Sequence, residues 1–198
     1  MTEGVTGVVL AGGKSSRFGS NKAVAPWRGQ TLTGSAVRRL CDIFPRVLVV
    51  GKNPELVAGL NDCARFVSDD SEQSHPLVGI VAALRDSETD RIFVTACDMP
   101  LVDPALIRAV CDASSGYAVT TALWDGHPQP LFGVYSKECL GVMRLLLKEK
   151  RPVRELFNIV RTRFLSQEEI ADIDPAGRSF LDIDTPEDYL KVQRSAHA

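Results

Sequence analysis

The segment Leu10 to Ala23 reads LAGGKSSRFGSNKA and brings three cations, Lys14, Arg17 and Lys22, among glycines at 12, 13 and 19. Adjacent glycines let the backbone approach a ligand closely and turn successive N–H groups toward an anion. Cations a few residues away then neutralise phosphate oxygens. A Walker A loop is excluded, because Gly13-Lys14-Ser15 would need a first glycine at position 8, which is Val. A dinucleotide-binding G-x-G-x-x-G is excluded too, since no third glycine has the right spacing. Asp98, in Cys97-Asp98-Met99-Pro100, follows the apolar run Arg91 to Ala96. A carboxylate beside a phosphate loop is a poor phosphate ligand but a good ligand for Mg²⁺, a hard cation that bridges carboxylate and phosphate oxygens. The other reading of Asp98 is a residue that caps a turn before Pro100.

These side chains need a scaffold, and the chain pattern supplies one. Short apolar runs at Gly7 to Ala11, Arg46 to Val50, Ala64 to Ser68, Arg91 to Ala96, Tyr117 to Leu123, Pro130 to Tyr135 and Ser179 to Ile183 read as strands. Helical spacing marks Thr31 to Phe44, Pro54 to Leu60, Pro76 to Leu84, Pro104 to Ala113 and Ser136 to Lys150. A last helix starts at Thr185-Pro186-Glu187-Asp188, with acids in its first turn to complement the dipole. Alternating strands and helices imply an α/β domain with a mostly parallel sheet. In such sheets ligands bind at the carboxyl ends of the strands, where both the glycine loop and Asp98 fall.

The 198 residues suit one domain. With 23 Lys and Arg against 25 Asp and Glu, the net charge of −2 argues against a broadly basic nucleic-acid binder. No apolar run approaches the roughly 20 residues of a membrane span, and no secretory signal is apparent. The cysteines at 41, 63, 97, 111 and 139 lack C-x-x-C spacing. They read as reduced thiols of a cytoplasmic protein rather than as a disulfide frame or a zinc site.

The loop resembles the L-A-G-G-x-S-x-R-M-G-x-D-K signature of the nucleotidyltransferases related to molybdenum cofactor guanylyltransferase. Arg17 and Lys22 match its basic residues; Asn21 replaces its usual Asp, and Phe18 its Met. Cys97-Asp98-Met99-Pro100 is similar to the family's C-D-x-P, whose Asp binds Mg²⁺. Asp70, in Val67-Ser68-Asp69-Asp70, matches the position that contacts the nucleoside of GTP, with Asp69 as the alternative. His75-Pro76-Leu77-Val78-Gly79 resembles G-P-L-A-G, with His75 for the first Gly and Gly79 letting the helix start lie against the nucleotide. Phe180 to Asp188 resembles F-x-N-x-N-T-P-E-D. Asp182 and Asp184 stand where Asn is usual, and Asp182 is the candidate second Mg²⁺ ligand. Gln129 to Tyr135 is similar to the strand that borders the acceptor pocket. Arg151 or Arg154 either meets the acceptor's terminal phosphate or is an exposed helix arginine.

The resemblance spans Leu10 to Tyr189, nearly the whole chain. It implies a Rossmann-like three-layer α/β/α nucleotidyltransferase fold, one domain over 1–198 whose N-terminal half binds GTP and whose C-terminal half binds the acceptor. It implies transfer of GMP from GTP to molybdopterin with Mg²⁺ as cofactor, hand-over from a molybdopterin-metal insertase, and delivery to molybdoenzymes and their chaperones. The catalytic residues would be Arg17, Lys22 and Asp98. The nucleotide would contact Leu10, Ala11, Gly12, Gly13, Lys22, Asp70, Gly79 and Asp98, and the metal Asp98 and Asp182. The open alternatives are a molybdopterin cytidylyltransferase, a cobinamide-phosphate or sugar-phosphate guanylyltransferase, and a nucleotide-binding relative without catalysis.

Overall fold

The computed structural model describes residues 2, 4–12, 18, 21–60, 64–69 and 75–195. The apolar runs form a central sheet whose inner strands, at Val5–Leu10, Val47–Gly51 and Arg91–Ala96, are buried on both faces, as a helix-covered parallel sheet demands. The strands are β1 (Val5–Leu10), β4 (Val47–Gly51), β5 (Ala64–Ser68), β6 (Arg91–Ala96), β7 (Val119–Trp124), β8 (His127–Ser136) and β9 (Thr162–Leu165). A separate small hairpin joins β2 (Pro26–Trp27) to β3 (Gln30–Thr31). The sheet order is β5-β4-β1-β6-β8-β7-β9. Pairs β5-β4, β4-β1, β1-β6 and β7-β9 are parallel, and β8 is antiparallel to both β6 and β7.

Helices cover both faces. On one side α1 (Leu32–Cys41), α3 (Pro104–Asp112) and α5 (Gln167–Ala171) bury Leu40, Leu106 and Ile170 against Val9, Val49 and Phe93. On the other, α2 (Pro76–Asp86) and α4 (Leu140–Lys148) bury Ile80, Leu84 and Met143 against Val8, Leu48 and Val94. Neighbouring residues of β1 thus serve opposite cores, the period-2 alternation of a strand. The result is the expected three-layer α/β/α arrangement. Thr31, His75 and Asp103 cap α1, α2 and α3 with side-chain acceptors, and prolines occupy the first turns of α2 and α3, where no N–H is missed.

The last helix, α6 (Pro186–Ser195), closes a third apolar cluster in which Val192 and Ile183 pack with Trp27 and Leu32. Tyr189 stands edge-on to Trp27, ring centroids 5.9 Å apart, and donates its hydroxyl to Pro26 O. Among the described residues no helix is long and apolar enough to cross a membrane.

Two expectations are corrected, and two elements were not expected. Ser179 to Ile183 is not a strand: residues Arg178–Phe180 make a 3₁₀ turn and Leu181 to Asp184 are irregular. The aromatic ring of Phe180 is held by stacking on Trp124, centroids 5.5 Å apart, rather than by a ladder. Strand β9 and helix α5 occupy a stretch that carries no marked periodicity in the sequence. Finally, the cysteines are not all reduced: Cys41 is disulfide-bonded, whereas Cys97, Cys111 and Cys139 are free and buried.

Candidate active site at the carboxyl edge of the sheet

Parallel alignment brings the ends of β1, β4, β5 and β6 to one edge, and single backbone bonds extend the ladder beyond them. Ala11 N–H donates to Val50 O at 2.8 Å, Cys97 N–H to Leu10 O at 3.0 Å and Asp69 N–H to Gly51 O at 2.8 Å. The chain segments that follow these strands therefore leave the sheet side by side. Since Ala11 N–H is committed to the sheet, Gly12 offers the first described backbone N–H past it on this loop. A methyl group built on Gly12 would lie 3.5 Å from Asp69 Oδ2 and 3.8 Å from Gly51 Cα, which shows how closely these segments approach.

Lys22 enters on a 3₁₀ turn, Lys22–Val24. Asn21 caps that turn, its Oδ1 accepting from Ala23 N–H at 3.1 Å, and Thr33 of α1 donates to Ala23 O at 2.8 Å. The Asn that replaces the expected Asp is thus an N-cap, a task either residue performs. So placed, Lys22 Nζ donates to Asp98 Oδ2 at 2.6 Å and to Asp184 Oδ1 at 3.0 Å. The Lys22 and Asp98 side chains are only 13% and 21% exposed, and Asp184 is 42% exposed. Burial works to lower the Lys22 pKa, but the charges and hydrogen bonds of Asp98 and Asp184 outweigh it and hold the ammonium above its ordinary value.

The late acids reach the site without a strand. Ile183 is fully buried in the third cluster, and its N–H donates to Asp98 O at 2.9 Å. This one bond clips the segment to the end of β6. Asp182 and Asp184 flank the anchored Ile183. The Asp182 carboxyl is pushed above its ordinary value by burial first, then by the negative charges of Asp184 and Asp98. Its like-charge neighbours place it within the same electrostatic cluster.

A cavity of about 210 Å³ opens at this edge. Its walls include Leu10, Ala11, Gly12, Lys22, Gly79 and Asp98 of the sequence-predicted set. Gly79 lets α2 lie close to β1: a methyl there would come within 2.9 Å of Leu10 Cδ2 and the leucine would have to give way. Gly13, Lys14, Arg17 and Asp70 lie outside the described residues. Asp69, the alternative to Asp70, lines the cavity. So do His75, the first residue of the segment expected to lie against the nucleotide, and Lys52, which sequence reasoning did not single out. A signal for Lys52 exists in hindsight, since it follows the glycine that ends β4.

Across the edge from β1, Leu131 of β8 also faces the cavity. The β7-β8 register shifts between Thr121 and Leu123. Thr121 Oγ1 spans the irregularity by donating toward Gln129 O (2.7 Å) and Phe132 O (2.9 Å). Bulges of this kind re-aim side chains beside active sites. Arg151 pairs with Glu149 and Glu155 on the exposed surface, in the irregular link after α4 rather than on a helix.

Residues 7–168 match the family described as MobA-like NTP transferase domain. The chain belongs to that family. A probable molybdenum cofactor guanylyltransferase of Pelotomaculum thermopropionicum is 34% identical to this member over 95% of the chain and 91% of the relative. The molybdenum cofactor guanylyltransferase of Desulfosudis oleivorans is 32% identical over 99% and 98%. In fold, this MobA-like chain is similar to the molybdopterin-guanine dinucleotide biosynthesis protein A of Archaeoglobus fulgidus. The TM-score is 0.83 at 21% identity, covering 98% and 99% of the two chains.

Proposed function

We propose that the protein is a molybdenum cofactor guanylyltransferase that transfers GMP from GTP to molybdopterin. The observation that carries this reading is the Lys22–Asp98 pair at the head of the cavity, where a cation for phosphate and a carboxylate for a metal meet at the carboxyl edge of the sheet. A phosphate oxygen of the acceptor attacks the α-phosphorus of GTP. The bond from that phosphorus to the bridging oxygen breaks, and pyrophosphate leaves with the electron pair. The acceptor oxygen is already anionic, so no covalent protein nucleophile is needed. Catalysis then consists of positioning and of offsetting the repulsion between two anions. Arg17 and Lys22 would offset charge on the α-phosphate and on the leaving group, and Gly12 N–H would add a fixed dipole.

The residues present fit Mg²⁺. Asp98, Asp182 and Asp184 bring carboxylate oxygens to this edge, and the Asp182 carboxyl is raised by burial first and then by the like charges of Asp184 and Asp98. No group of three or more potential ligands is arranged to hold a metal by itself among the described residues. Mg²⁺ is commonly held by one or two carboxylates together with substrate phosphates. Asp98 and Asp182 would supply the carboxylates. Bound there, the ion would neutralise phosphate charge. Lys22, which now shares Asp98 and Asp184, would turn to the phosphates as they arrive.

GTP as substrate supports a cytoplasmic location, a stronger ground than the thiols now that Cys41 is disulfide-bonded. The same reading has molybdopterin received from a metal insertase and the product passed to molybdoenzyme chaperones. The test is pyrophosphate release from GTP, CTP and ATP with molybdopterin, cobinamide phosphate or a sugar phosphate as acceptor. Release from GTP with molybdopterin alone is expected. Release from CTP would indicate a cytidylyltransferase, and GTP binding without release a non-catalytic relative.

A further inference from the structure

The N-cap of α2 is an imidazole, and its hydrogen bond fixes where its proton lies. Leu77 N–H donates to His75 Nδ1 at 3.2 Å. An Nδ1 that accepts carries no proton, so the neutral ring holds its proton on Nε2, which is then a donor. His75 lines the cavity, and among the described residues no group meets Nε2.

The strand order gives this donor a place along the ligand. Asp98 and Lys22 mark the phosphate end, at the close of β6. Lys52 follows β4 and Asp69 follows β5, which lie two and three strands away in the sheet. At about 4.8 Å per strand, the ends of β4 and β5 are roughly 10 and 14 Å from the end of β6, and the Asp69 carboxylate reaches back from there to 3.5 Å from the Cβ position of Gly12. A nucleotide lying across the edge puts its base at those strand ends, under the start of α2.

We infer that His75, through Nε2–H, selects guanine by donating to the acceptor edge of the base, with Lys52 as a second donor on the same rim. The inference rests on the nucleotide reading above. Guanine presents two acceptors on that edge, O6 and N7, whereas adenine replaces O6 with an N6 amino donor. Two protein donors match the first pattern and oppose the second. Asp69, an acceptor, suits the N1 and N2 donors that adenine lacks.

The test is equilibrium binding of nucleotides to the full chain with Mg²⁺ present. GTP is compared with ATP, with 7-deaza-GTP, which lacks N7, and with 2-aminopurine riboside triphosphate, which lacks O6. In His75→Ser the serine hydroxyl still caps α2, but no donor from this position reaches the base, and Lys52 alone remains. The GTP-over-ATP preference should fall about five- to tenfold, the worth of one hydrogen bond. At least one analogue should bind the unmodified protein more weakly than GTP, and that difference should vanish in His75→Ser. A cap defect alone would weaken all nucleotides alike and leave the preference intact. An unchanged preference in His75→Ser would overturn the role of His75 alone. Absence of any GTP preference in the unmodified protein would overturn the guanine reading itself.

Discussion

Lys22 Nζ lies 2.6 Å from Asp98 Oδ2, although 76 residues separate the two in the chain. One comes from the loop after β1 and the other from the end of β6, neighbouring parallel strands. The contact holds the site's cation and the carboxylate proposed to bind the metal in one place before any ligand arrives. Lys22→Ala and Asp98→Ala should each lower guanylyl transfer by at least about tenfold, as expected for loss of a preorganised charge. Circular dichroism should show the fold retained in both. Near-normal turnover in a folded Asp98→Ala protein would remove the metal assignment.

Gly177 has a positive φ of 60° and lies against the indole of Trp124. A methyl group there would overlap the ring, which is itself stacked on Phe180. Gly177→Ala therefore combines backbone strain with overpacking and should cost about 1–3 kcal/mol. Thermal unfolding reads this as a lowered Tm. An unchanged Tm would mean that Trp124 moves freely and does not anchor the segment leading to Asp182.

Thr120 is fully buried and its hydroxyl has no partner among the described residues. The neighbouring Thr121 spends its own hydroxyl on the carbonyls of Gln129 and Phe132. Thr120→Val replaces an unsatisfied group by an apolar one of the same shape and should raise stability by about 1 kcal/mol. Thr121→Val removes a bond that spans the β7-β8 irregularity and should lower it. Chemical denaturation of the two variants distinguishes these opposite signs.

The free thiols are structural. Burial, the leading cause in each, pushes Cys97 and Cys111 up to about 12 and Cys139 to about 11. A thiol whose pKa is raised stays neutral until the pH nears that value, so at pH 8 the thiolate of Cys139 is about one part in a thousand. Iodoacetamide at pH 8 should leave all three unmodified in the native protein and modify them after unfolding. Rapid native alkylation of Cys97, next to Asp98, would show that the site is more open than its burial indicates.

The parts of the fold legible in the sequence are those where local pattern and tertiary environment agree. β1, β4 and β6 are continuous apolar runs because both faces are covered, and Pro76 and Pro104 mark helix starts by chemistry that needs no context. Asp98 and Gly12 were legible for a related reason: they follow such strands directly. The segment after Gly177 was not. Its alternation of Phe180, Asp182 and Asp184 reads as a strand, yet separate hydrogen bonds, from Ile183 N–H to Asp98 O and from Asp103 N–H to Ser179 Oγ, and a stack on Trp124 hold it in place of a ladder. Asp184 meets Lys22 through that long-range contact, which periodicity does not encode. His75 was legible as the residue before a first-turn proline. That its ring both caps α2 and lines the cavity depends on the side-chain placement.

Incubation of the protein with GTP, Mg²⁺ and molybdopterin, followed by mass detection of the products, tests the central claim most directly. The account predicts the molybdopterin guanine dinucleotide together with an equal amount of pyrophosphate, both lost in Asp98→Ala. GTP left intact beside unmodified molybdopterin, or a product carrying another base when all nucleotides compete, would contradict it.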